Sequence, residues 1–400
     1  MKLVHTSDLH LGIYLFSLSL LPFQQKLARV ITDCAESENA DCIIISGDIY
    51  NTKDPSGESV KAFDSFIKEL FSAERHIPVI IISGNHDYAP RLSVHSSLLE
   101  SCGLHIRGTL SDYLRPVEIG DAQIYCLPFF TVSEVKAIAD AENSEDEIKI
   151  ESQTDAFRYL TDRIKENWDN SKKHIIAAHC FAVGGITSDS EKATKSALSA
   201  RFAGGAQLTD ASLFADFDYA ALGHLHSAQT IDSGGKAVVR YSGTPLPYSF
   251  SEGNEYSNGF PPKIREKSLS VFDTDTRVLK AVPVENILSL KTVSGSLEEI
   301  TAMAADTREN EYVRLIFTDR ATAAGLSDTI SSLYPNKLVA DCRPQSLGGA
   351  RDSVTAEQVK GMSAEELAER FITVYHKREF TDEMRKWISD AVTANERDDR

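Results

Sequence analysis

The chain has 400 residues, of which 42% are hydrophobic and 25% are charged, and its formal net charge at pH 7 is −17. The length allows two or three domains, and the composition is typical of a soluble globular protein. An acidic chain without a dense basic stretch does not hold DNA by its own field, so a nucleic-acid substrate would need metal ions or a partner to supply positive charge.

The sequence shows no sign of membrane insertion or export. It has no run of about 18 apolar residues, so no transmembrane helix is expected. The N-terminus turns polar at Thr6-Ser7-Asp8 and does not resemble a signal peptide. The six cysteines lack Cys-x-x-Cys spacing and mostly lie in apolar runs, which favours buried free thiols in a reducing cytoplasm over disulfides.

The first three predicted strands end at polar residues that can bind metal ions or move protons. They cover residues 2–6, 42–46 and 77–82, and they run into Asp8-Leu9-His10, Gly47-Asp48 and Gly84-Asn85-His86-Asp87. Helices are predicted over residues 22–38 and after Pro55, the second with a buried face of Val60, Phe63, Ile67, Leu70 and Phe71. This alternation predicts an α/β fold with a largely buried sheet, in which sites gather beyond the carboxyl ends of the strands.

Each motif is a weak signal when taken alone. Asp8 and His10 lie two residues apart, so an extended chain would point both side chains to one side. An Asp-x-His pair is nevertheless more often a turn than a metal site, and residues 84–87 could equally form a structural turn. The motifs gain weight only if later segments add matching groups.

Later segments do add such groups. Strands are predicted over residues 123–129, 174–180, 217–222 and from residue 238 onward, with a polar stretch at 131–153, a helix at 155–168 and a long surface segment at 183–206. His179 ends the second of these strands. The third runs into Gly223-His224-Leu225-His226, and the fourth into a Gly243-Thr244-Pro245 turn.

Seven oxygen or nitrogen ligands therefore stand at predicted strand ends: Asp8, His10, Asp48, Asn85, His179, His224 and His226. A thiol-free set of this kind suits Mn, Fe or Zn better than a structural cysteine site does. Seven ligands are too many for one tetrahedral ion but suit two ions, about 3.5–4 Å apart, that share a carboxylate. The alternative is chance placement of histidines at loop starts, and a structural role is predicted for the remaining ones, His5, His76, His95, His105, His174 and His376.

In this order, Asp-x-His, Gly-Asp, Gly-Asn-His-Asp, a lone histidine and Gly-His-x-His resemble the motifs of the calcineurin-like metallophosphoesterases, over roughly residues 1–250. Within that family, residues 5–12 and 241–250 look like those of the SbcD-type exonuclease subunits. The resemblance implies an α/β (α+β) fold, namely a four-layer αββα sandwich with a small α+β capping domain and C-terminal helices.

The resemblance also implies a role for each site residue. Asp8, His10 and His226 would hold one divalent ion, Asn85, His179 and His224 the other, and Asp48 would bridge the two, with Mn²⁺ as the expected metal. His86 would act as the acid, and Asp87 would hold its ring. Some relatives carry a second histidine where this chain has Asn51, so the resemblance carries no auxiliary proton donor over to that position and leaves open whether Asn51 replaces it.

The predicted domains are residues 1–260 for the nuclease, 267–345 for the cap and 354–396 for a C-terminal helical segment. The glycines and prolines of residues 251–267 predict a linker. The C-terminal helices have apolar faces of Leu367, Phe371, Val374 and Tyr375, and of Met384, Trp387, Ile388 and Val392. They would pack on the body or, as the resemblance implies, bind an SbcC-type coiled-coil ATPase subunit.

The expected function is that of a metal-dependent DNA exonuclease and endonuclease in DNA repair, recombination and replication, with a possible homodimer. A phosphomonoesterase or cyclic-nucleotide phosphodiesterase would use the same two-metal chemistry, but would need neither the extra domain nor the C-terminal helices. A scaffold with a dead metal site is the third alternative. The seven intact ligands and His86 argue against it.

Overall fold

The computed structural model describes residues 1–142, 149–185, 208–306, 310–319 and 327–342, together with residues 363, 366, 369, 373, 380, 381 and 384–387. The chain divides into two compact units, Met1–Pro344 and Gln345–Arg400. Most of the predicted C-terminal helical segment, with the apolar positions 367, 371, 374, 375, 388 and 392, lies outside the described residues, as does most of the predicted surface segment at 183–206.

The strands of the first unit are numbered in chain order. They are β1 Lys2–Thr6, β2 Tyr14–Leu15, β3 Leu18–Ser19, β4 Cys42–Ser46, β5 Val79–Ile82, β6 Leu104–Arg107, β7 Val117–Ile119, β8 Ala122–Leu127, β9 Lys173–His179, β10 Phe181–Ala182, β11 Leu208–Thr209, β12 Tyr219–Gly223, β13 Gln229–Ile231, β14 Val238–Tyr241, β15 Asn254–Ser257, β16 Ser268–Asp273, β17 Leu279–Pro283, β18 Ser289–Gly295, β19 Glu311–Phe317 and β20 Lys337–Cys342.

The helices are numbered in the same way. They are α1 Leu21–Gln24, α2 Leu27–Ser37, α3 Gly57–Leu70, α4 Ala89–Leu92, α5 Ser96–Leu99, α6 Val132–Glu142, α7 Gln153–Glu166, α8 Leu297–Ala302 and α9 Ser327–Leu333. Short 3-10 turns lie at Glu100–Cys102, Leu110–Asp112, Ala211–Phe214, Phe250–Glu252 and Met303–Asp306.

Two six-stranded sheets form the body of the first unit. The first has the order β17-β16-β1-β4-β5-β6 and the second the order β13-β14-β12-β9-β8-β7. In the first sheet β1, β4, β5 and β6 are parallel. In the second, β8, β9, β12 and β14 are parallel. Parallel neighbours end at the same edge, so the residues that follow β1, β4, β5, β9 and β12 are brought to common edges.

The residues of each central strand alternate between two cores. Ile44 faces a core that both sheets share with residues such as Ile175 and Tyr219. Its neighbours Ile43 and Ile45 face a separate core with α2 and α3. On the second sheet, Ile176 faces a core with α6 and α7. Helices, sheet, sheet and helices therefore stack as four layers, which confirms the predicted αββα sandwich.

A third sheet has the order β15-β18-β19-β20 with all neighbours parallel, and its own small core includes residues of α8 and α9. The strands β16 and β17 fall within the range predicted for the capping domain, yet they pair into the first sheet beside β1. The predicted linker at 251–267 contains a 3-10 turn and β15. The domain boundaries themselves stay predictions.

Some local predictions were wrong in detail. The helix predicted over residues 22–38 is two helices, the short α1, which has Pro22 in its first turn, and α2, which begins at Leu27. The buried face of α3 is Ser59, Ala62, Phe66 and Leu70, whereas Val60 is 42% exposed. Nine strands of the described residues were not predicted, namely β2, β3, β6, β7, β10, β11, β13, β15 and β18. Of these, β7 and β13 are edge strands of three residues, too short for a periodic pattern.

The five cysteines whose state the structure gives are free thiols, as expected. Cys34, Cys42, Cys126 and Cys180 are buried free thiols, and Cys102 is an exposed one. No helix among the described residues is both long enough and apolar enough to span a membrane.

Candidate metal centre

The seven predicted ligands converge on one place, beyond the carboxyl ends of β1, β4, β5, β9 and β12. Ligand atoms of Asp8, His10 and His226 all lie within 4.8 Å of one another, and so do those of Asp8, Asp48 and His179. The Oδ1 atom of Asn85 lies 3.0 Å from Nε2 of His179 and 3.0 Å from Nδ1 of His224. Two groups of three side chains thus stand side by side. One is Asp8, His10 and His226, and the other is Asn85, His179 and His224.

Asp48 lies between the two groups. Its Oδ2 atom is 3.6 Å from Nε2 of His10, which belongs to one group, and 3.6 Å from Nε2 of His179, which belongs to the other. Its Oδ1 atom accepts a hydrogen bond of 2.9 Å from the main-chain N–H of His86. This carboxylate therefore occupies the position that a shared ligand of two ions requires.

The backbone at four of the candidate ligands is left-handed. The φ angles are 55° at Asp8, 45° at His10, 51° at Asp48 and 101° at His224. The extended geometry predicted for Asp8 and His10 is therefore wrong, since β1 ends at Thr6 and an irregular loop presents both side chains. Each non-glycine residue held in this region costs of order 1–3 kcal/mol, and such strain clusters at functional sites.

Two glycines let the loops approach closely enough to build this centre. A Cβ atom at Gly84 would lie 2.1 Å from Oδ1 of Asp48, and one at Gly223 would lie 1.8 Å from the carbonyl oxygen of Ser46. Glycine is therefore required where the loop after β5 passes Asp48 and where the end of β12 passes the end of β4.

Main-chain carbonyls fix two of the histidine rings. His179 donates from Nδ1 to the carbonyl of Ser46 at 2.9 Å, which leaves the Nε2 lone pair facing Asp48 and Asn85. His86 donates from Nδ1 to the carbonyl of Asn51 at 2.8 Å. A carbonyl can only accept, so both rings carry a proton on Nδ1.

The structure corrects the role predicted for Asp87. Its carboxylate does not hold the His86 ring. It accepts hydrogen bonds from the main-chain N–H groups of Gly84 at 2.8 Å, Tyr50 at 2.9 Å and Ile49 at 3.1 Å. Asp87 therefore ties the loop after β5 to the loop after β4, because both its oxygens are taken up by main-chain donors.

The charges of the centre are set by burial and by proximity. Burial raises the pKa of the Asp8 carboxyl to about 6, against the opposing effect of His179 and His226. Burial also opposes the charge of Asp48, but the imidazoles of His179, His86 and His10 outweigh it and hold the pKa of that carboxyl below its ordinary value. Burial lowers the pKa of His10 well below its ordinary value, which keeps its ring neutral.

These residues fit a divalent cation. His10 is 2% exposed, and among the described residues neither of its ring nitrogens has a hydrogen-bond partner. A buried neutral imidazole without a partner is costly unless a lone pair is used by a metal. Carboxylate, imidazole and amide ligands without a thiolate are the donor set for Mn, Fe or Zn.

Four supporting residues were missed in the sequence. Gln24 donates from Nε2 to the carbonyls of Leu9 at 2.7 Å and His10 at 2.8 Å, and Tyr248 donates to the Leu9 carbonyl. Glu252 lies beside His226, with Oε1 3.7 Å from Nδ1 of the ring, and it pairs with Lys267 at 2.7 Å. These four stand in a helix, a turn and a predicted linker, where no spacing pattern points to a site.

Comparison with known proteins adds independent information. The profile of the family described as calcineurin-like phosphoesterase matches residues 1–228. A curated relative from Staphylococcus epidermidis, described as the SbcD subunit of the nuclease SbcCD, is 32% identical over 342 residues, which cover 84% of this chain and 84% of the relative. A second relative of the same description, from Staphylococcus saprophyticus subsp. saprophyticus, is 30% identical over 339 residues with the same coverage of 84% on both sides.

Proposed function

We propose that this chain, which belongs to the calcineurin-like phosphoesterase family and to its SbcD branch, is the metal-dependent nuclease subunit of an SbcCD-like complex. The family membership rests on the profile match and on relatives at 30–32% identity. The observation that carries the proposal is the placement of Asp48 between two groups of three candidate ligands.

In the proposed site, Asp8, His10 and His226 hold one ion, Asn85, His179 and His224 hold the other, and Asp48 bridges them. Two divalent ions bound there would clamp phosphate oxygens and lower the pKa of the attacking water. The thiol-free ligand set favours Mn²⁺ as the working metal.

His86 is the proposed acid. The bond from its Nδ1 to the Asn51 carbonyl fixes the ring and leaves Nε2 as the atom that can carry a second proton. Its ring centroid lies 4.9 Å from that of His10, so it stands at the edge of the ligand groups. Breaking a P–O bond puts negative charge on the leaving oxygen, and a proton on Nε2 neutralises it.

The proposed substrate is DNA. The chain would act on it as an exonuclease on double strands and as an endonuclease on single strands and hairpins. A phosphomonoesterase or cyclic-nucleotide phosphodiesterase would use the same ligands. The description of both relatives as part of a nuclease favours DNA. The net charge of −17 is consistent with a nuclease that depends on its metals and on a partner to hold the polyanion.

The proposed partner is an SbcC-type coiled-coil ATPase subunit, bound through the C-terminal helices of residues 354–396. A homodimer of this chain is part of the same proposal. The C-terminal segment carries none of the candidate ligands, so it is free to serve assembly rather than chemistry.

The test uses the purified chain with Mn²⁺, alone and with the ATPase subunit of the same organism. Labelled duplex and hairpin DNA are compared with p-nitrophenyl phosphate, bis-p-nitrophenyl phosphate and a cyclic nucleotide. We expect metal-dependent cleavage of DNA that the ATPase partner stimulates, and no cleavage by Asp48→Asn. Turnover of the small esters with DNA left intact in every combination would overturn the nuclease assignment and favour the phosphomonoesterase or phosphodiesterase.

A further inference from the structure

Lys267 is a nearly buried cation whose hydrogen bonds are all directed at the surroundings of one ligand. Its side chain is 13% exposed. Its Nζ atom donates to the main-chain carbonyl of His226 at 3.0 Å, to Oγ1 of Thr244 at 2.6 Å and to Oε2 of Glu252 at 2.7 Å. An ammonium group has three donors, and these three acceptors use them all.

Glu252 is the buried anion of the same pair. Its side chain is 1% exposed, and it also accepts hydrogen bonds from the main-chain N–H of Tyr248 at 3.3 Å and from Oγ of Ser249 at 3.0 Å. Its Oε1 atom lies 3.7 Å from Nδ1 of His226. The carboxylate therefore faces one edge of that ring, while Lys267 donates a hydrogen bond to the main-chain carbonyl of the same residue.

This arrangement is poorly explained by stability alone. Taking two charges out of water costs several kcal/mol per ion, and well-packed apolar residues of similar size often stabilise a fold as well or better. The partner of Nδ1 also distinguishes His226 from two other rings of the centre. His179 and His86 each donate Nδ1–H to a neutral main-chain carbonyl, whereas Nδ1 of His226 faces a carboxylate.

We infer that Glu252 and Lys267 are positioning residues for His226, which set its tautomer and its place in the metal centre. The inference rests on the metal site of the proposed function. A carboxylate beside Nδ1 favours the tautomer with its proton there, so the lone pair is on Nε2, at the opposite edge of the ring. It also makes the imidazole a more basic ligand, and removing such a partner typically lowers metal affinity about 10–100-fold.

Loss of the Glu252–Lys267 pair should weaken the binding of only one of the two ions. The contacts of the pair with the candidate ligands are made to His226, in the group with Asp8 and His10. The other group, Asn85, His179 and His224, is held by Ser46, by the contacts among its own members and by the bond of 3.0 Å from the main-chain N–H of His224 to Asp8. Loss of the pair should therefore weaken one ion and spare the other.

The experiment measures Mn²⁺ binding to metal-free full-length protein by isothermal titration and by electron paramagnetic resonance, without DNA. The variants are Glu252→Gln, Lys267→Met and the double variant, which removes both charges and so leaves neither one buried alone. The matched control is Glu255→Gln, since Glu255 lies on the same stretch, is 44% exposed and pairs with Arg265 at 3.0 Å, away from the candidate ligands. Circular dichroism reports on folding.

We expect the parent and Glu255→Gln to bind two Mn²⁺ ions per chain and to show the signal of a spin-coupled pair. In the folded double variant, one ion should bind about 10–100-fold more weakly, the other unchanged, and the coupled signal should give way to that of an isolated ion. Two unchanged affinities in the double variant would overturn the inference, and so would unfolding of every variant, since the pair would then be structural. A parent that binds two ions but leaves DNA intact would overturn the nuclease proposal and leave this inference standing.

Discussion

His86 donates its Nδ1–H to the main-chain carbonyl of Asn51, 2.8 Å away. The ring is therefore oriented by the backbone of the loop after β4, and the side chain at position 51 does not enter the bond. A histidine is not needed at position 51 to hold the proposed acid in place. The contact also means that the loop after β4 supplies both the carboxylate of Asp48, the proposed bridging ligand, and the orientation of His86.

Replacing His86 by serine should abolish fast cleavage without removing the metals. The proposed ligands are seven other side chains, so metal content and DNA binding should stay at parent levels. Loss of a general acid typically lowers the rate by about 10²–10⁴-fold. Metal analysis and single-turnover cleavage of labelled DNA measure the two effects. His86 also lies within ligand distance of His10 and Asp48. If the variant loses one ion, we would conclude that His86 is a metal ligand and not the acid.

Asp48→Asn should be the most damaging ligand substitution, since it removes the charge shared by both groups of ligands. We expect loss of at least one bound ion and of DNA cleavage. The matched control is Asp54→Asn, because the Asp54 side chain is 96% exposed and pairs only with Arg91 among the described residues. Metal content and cleavage rate are measured for both variants. Full activity of Asp48→Asn would contradict the two-metal assignment.

Asp87→Asn should act on stability and not on the acid. The amide offers one acceptor oxygen to three main-chain donors, so at least one N–H is left unpaired or faces another N–H. We expect a loss of about 1–3 kcal/mol in the free energy of unfolding. Urea unfolding of the metal-free variant, compared with metal-free parent and Asp54→Asn, measures it. A variant as stable as its parent, with only its pH–rate profile changed, would favour the discarded contact with the His86 ring.

Metal binding should stabilise the folded chain. The ligands come from residues 8 to 226 and from both sheets, so the unfolded chain does not keep the site together. A ligand at 100 times its dissociation constant adds about 2.7 kcal/mol. Thermal unfolding with Mn²⁺ and with chelator measures the shift, which Asp48→Asn should lack. Equal melting temperatures for the parent in the two conditions would contradict the site.

Deleting residues 354–400 should leave metal binding intact but weaken assembly with the ATPase subunit. All seven candidate ligands lie in the unit Met1–Pro344. Trp387 is 72% exposed, and buried aromatic anchors of an interface contribute about 2–4 kcal/mol each. Binding of the partner to the truncated chain and to Trp387→Ala is measured by titration. If the truncated chain binds as tightly as the parent, the interface lies elsewhere.

Most of the candidate site could be predicted because its residues follow short, regular strands. The apolar runs before Asp8, Asp48, Asn85, His179 and His224 mark parallel strands, and parallel strands bring their ends together. Local patterns could not predict the positive φ angles at Asp8 and His10, because a left-handed residue in a loop leaves no periodic pattern in the sequence. The contact that holds His86 was also missed, since a main-chain carbonyl has no sequence signature.

Other parts of the fold could not be predicted because they depend on contacts between residues that lie far apart in the sequence. Glu252 and Lys267 stand at the two ends of a stretch whose glycines and prolines suggested a linker, and the course of β15 brings them together. The strands β16 and β17 alternate as strands should, but nothing in their own residues says that they extend the first sheet. Their assignment depends on contacts across most of the chain.

That long-range pairing has a consequence for how the chain is made. Lys2 of β1 pairs with Asp273 of β16, so β1 leaves the ribosome long before this partner strand and waits for it. At synthesis rates of about 5–20 residues per second, the wait is roughly 15–50 s. Throughout it, one edge of β1 stays open to pairing with other chains. A fragment that ends at residue 228, where the family match ends, lacks β16 and β17 and should aggregate even though it contains every candidate metal ligand.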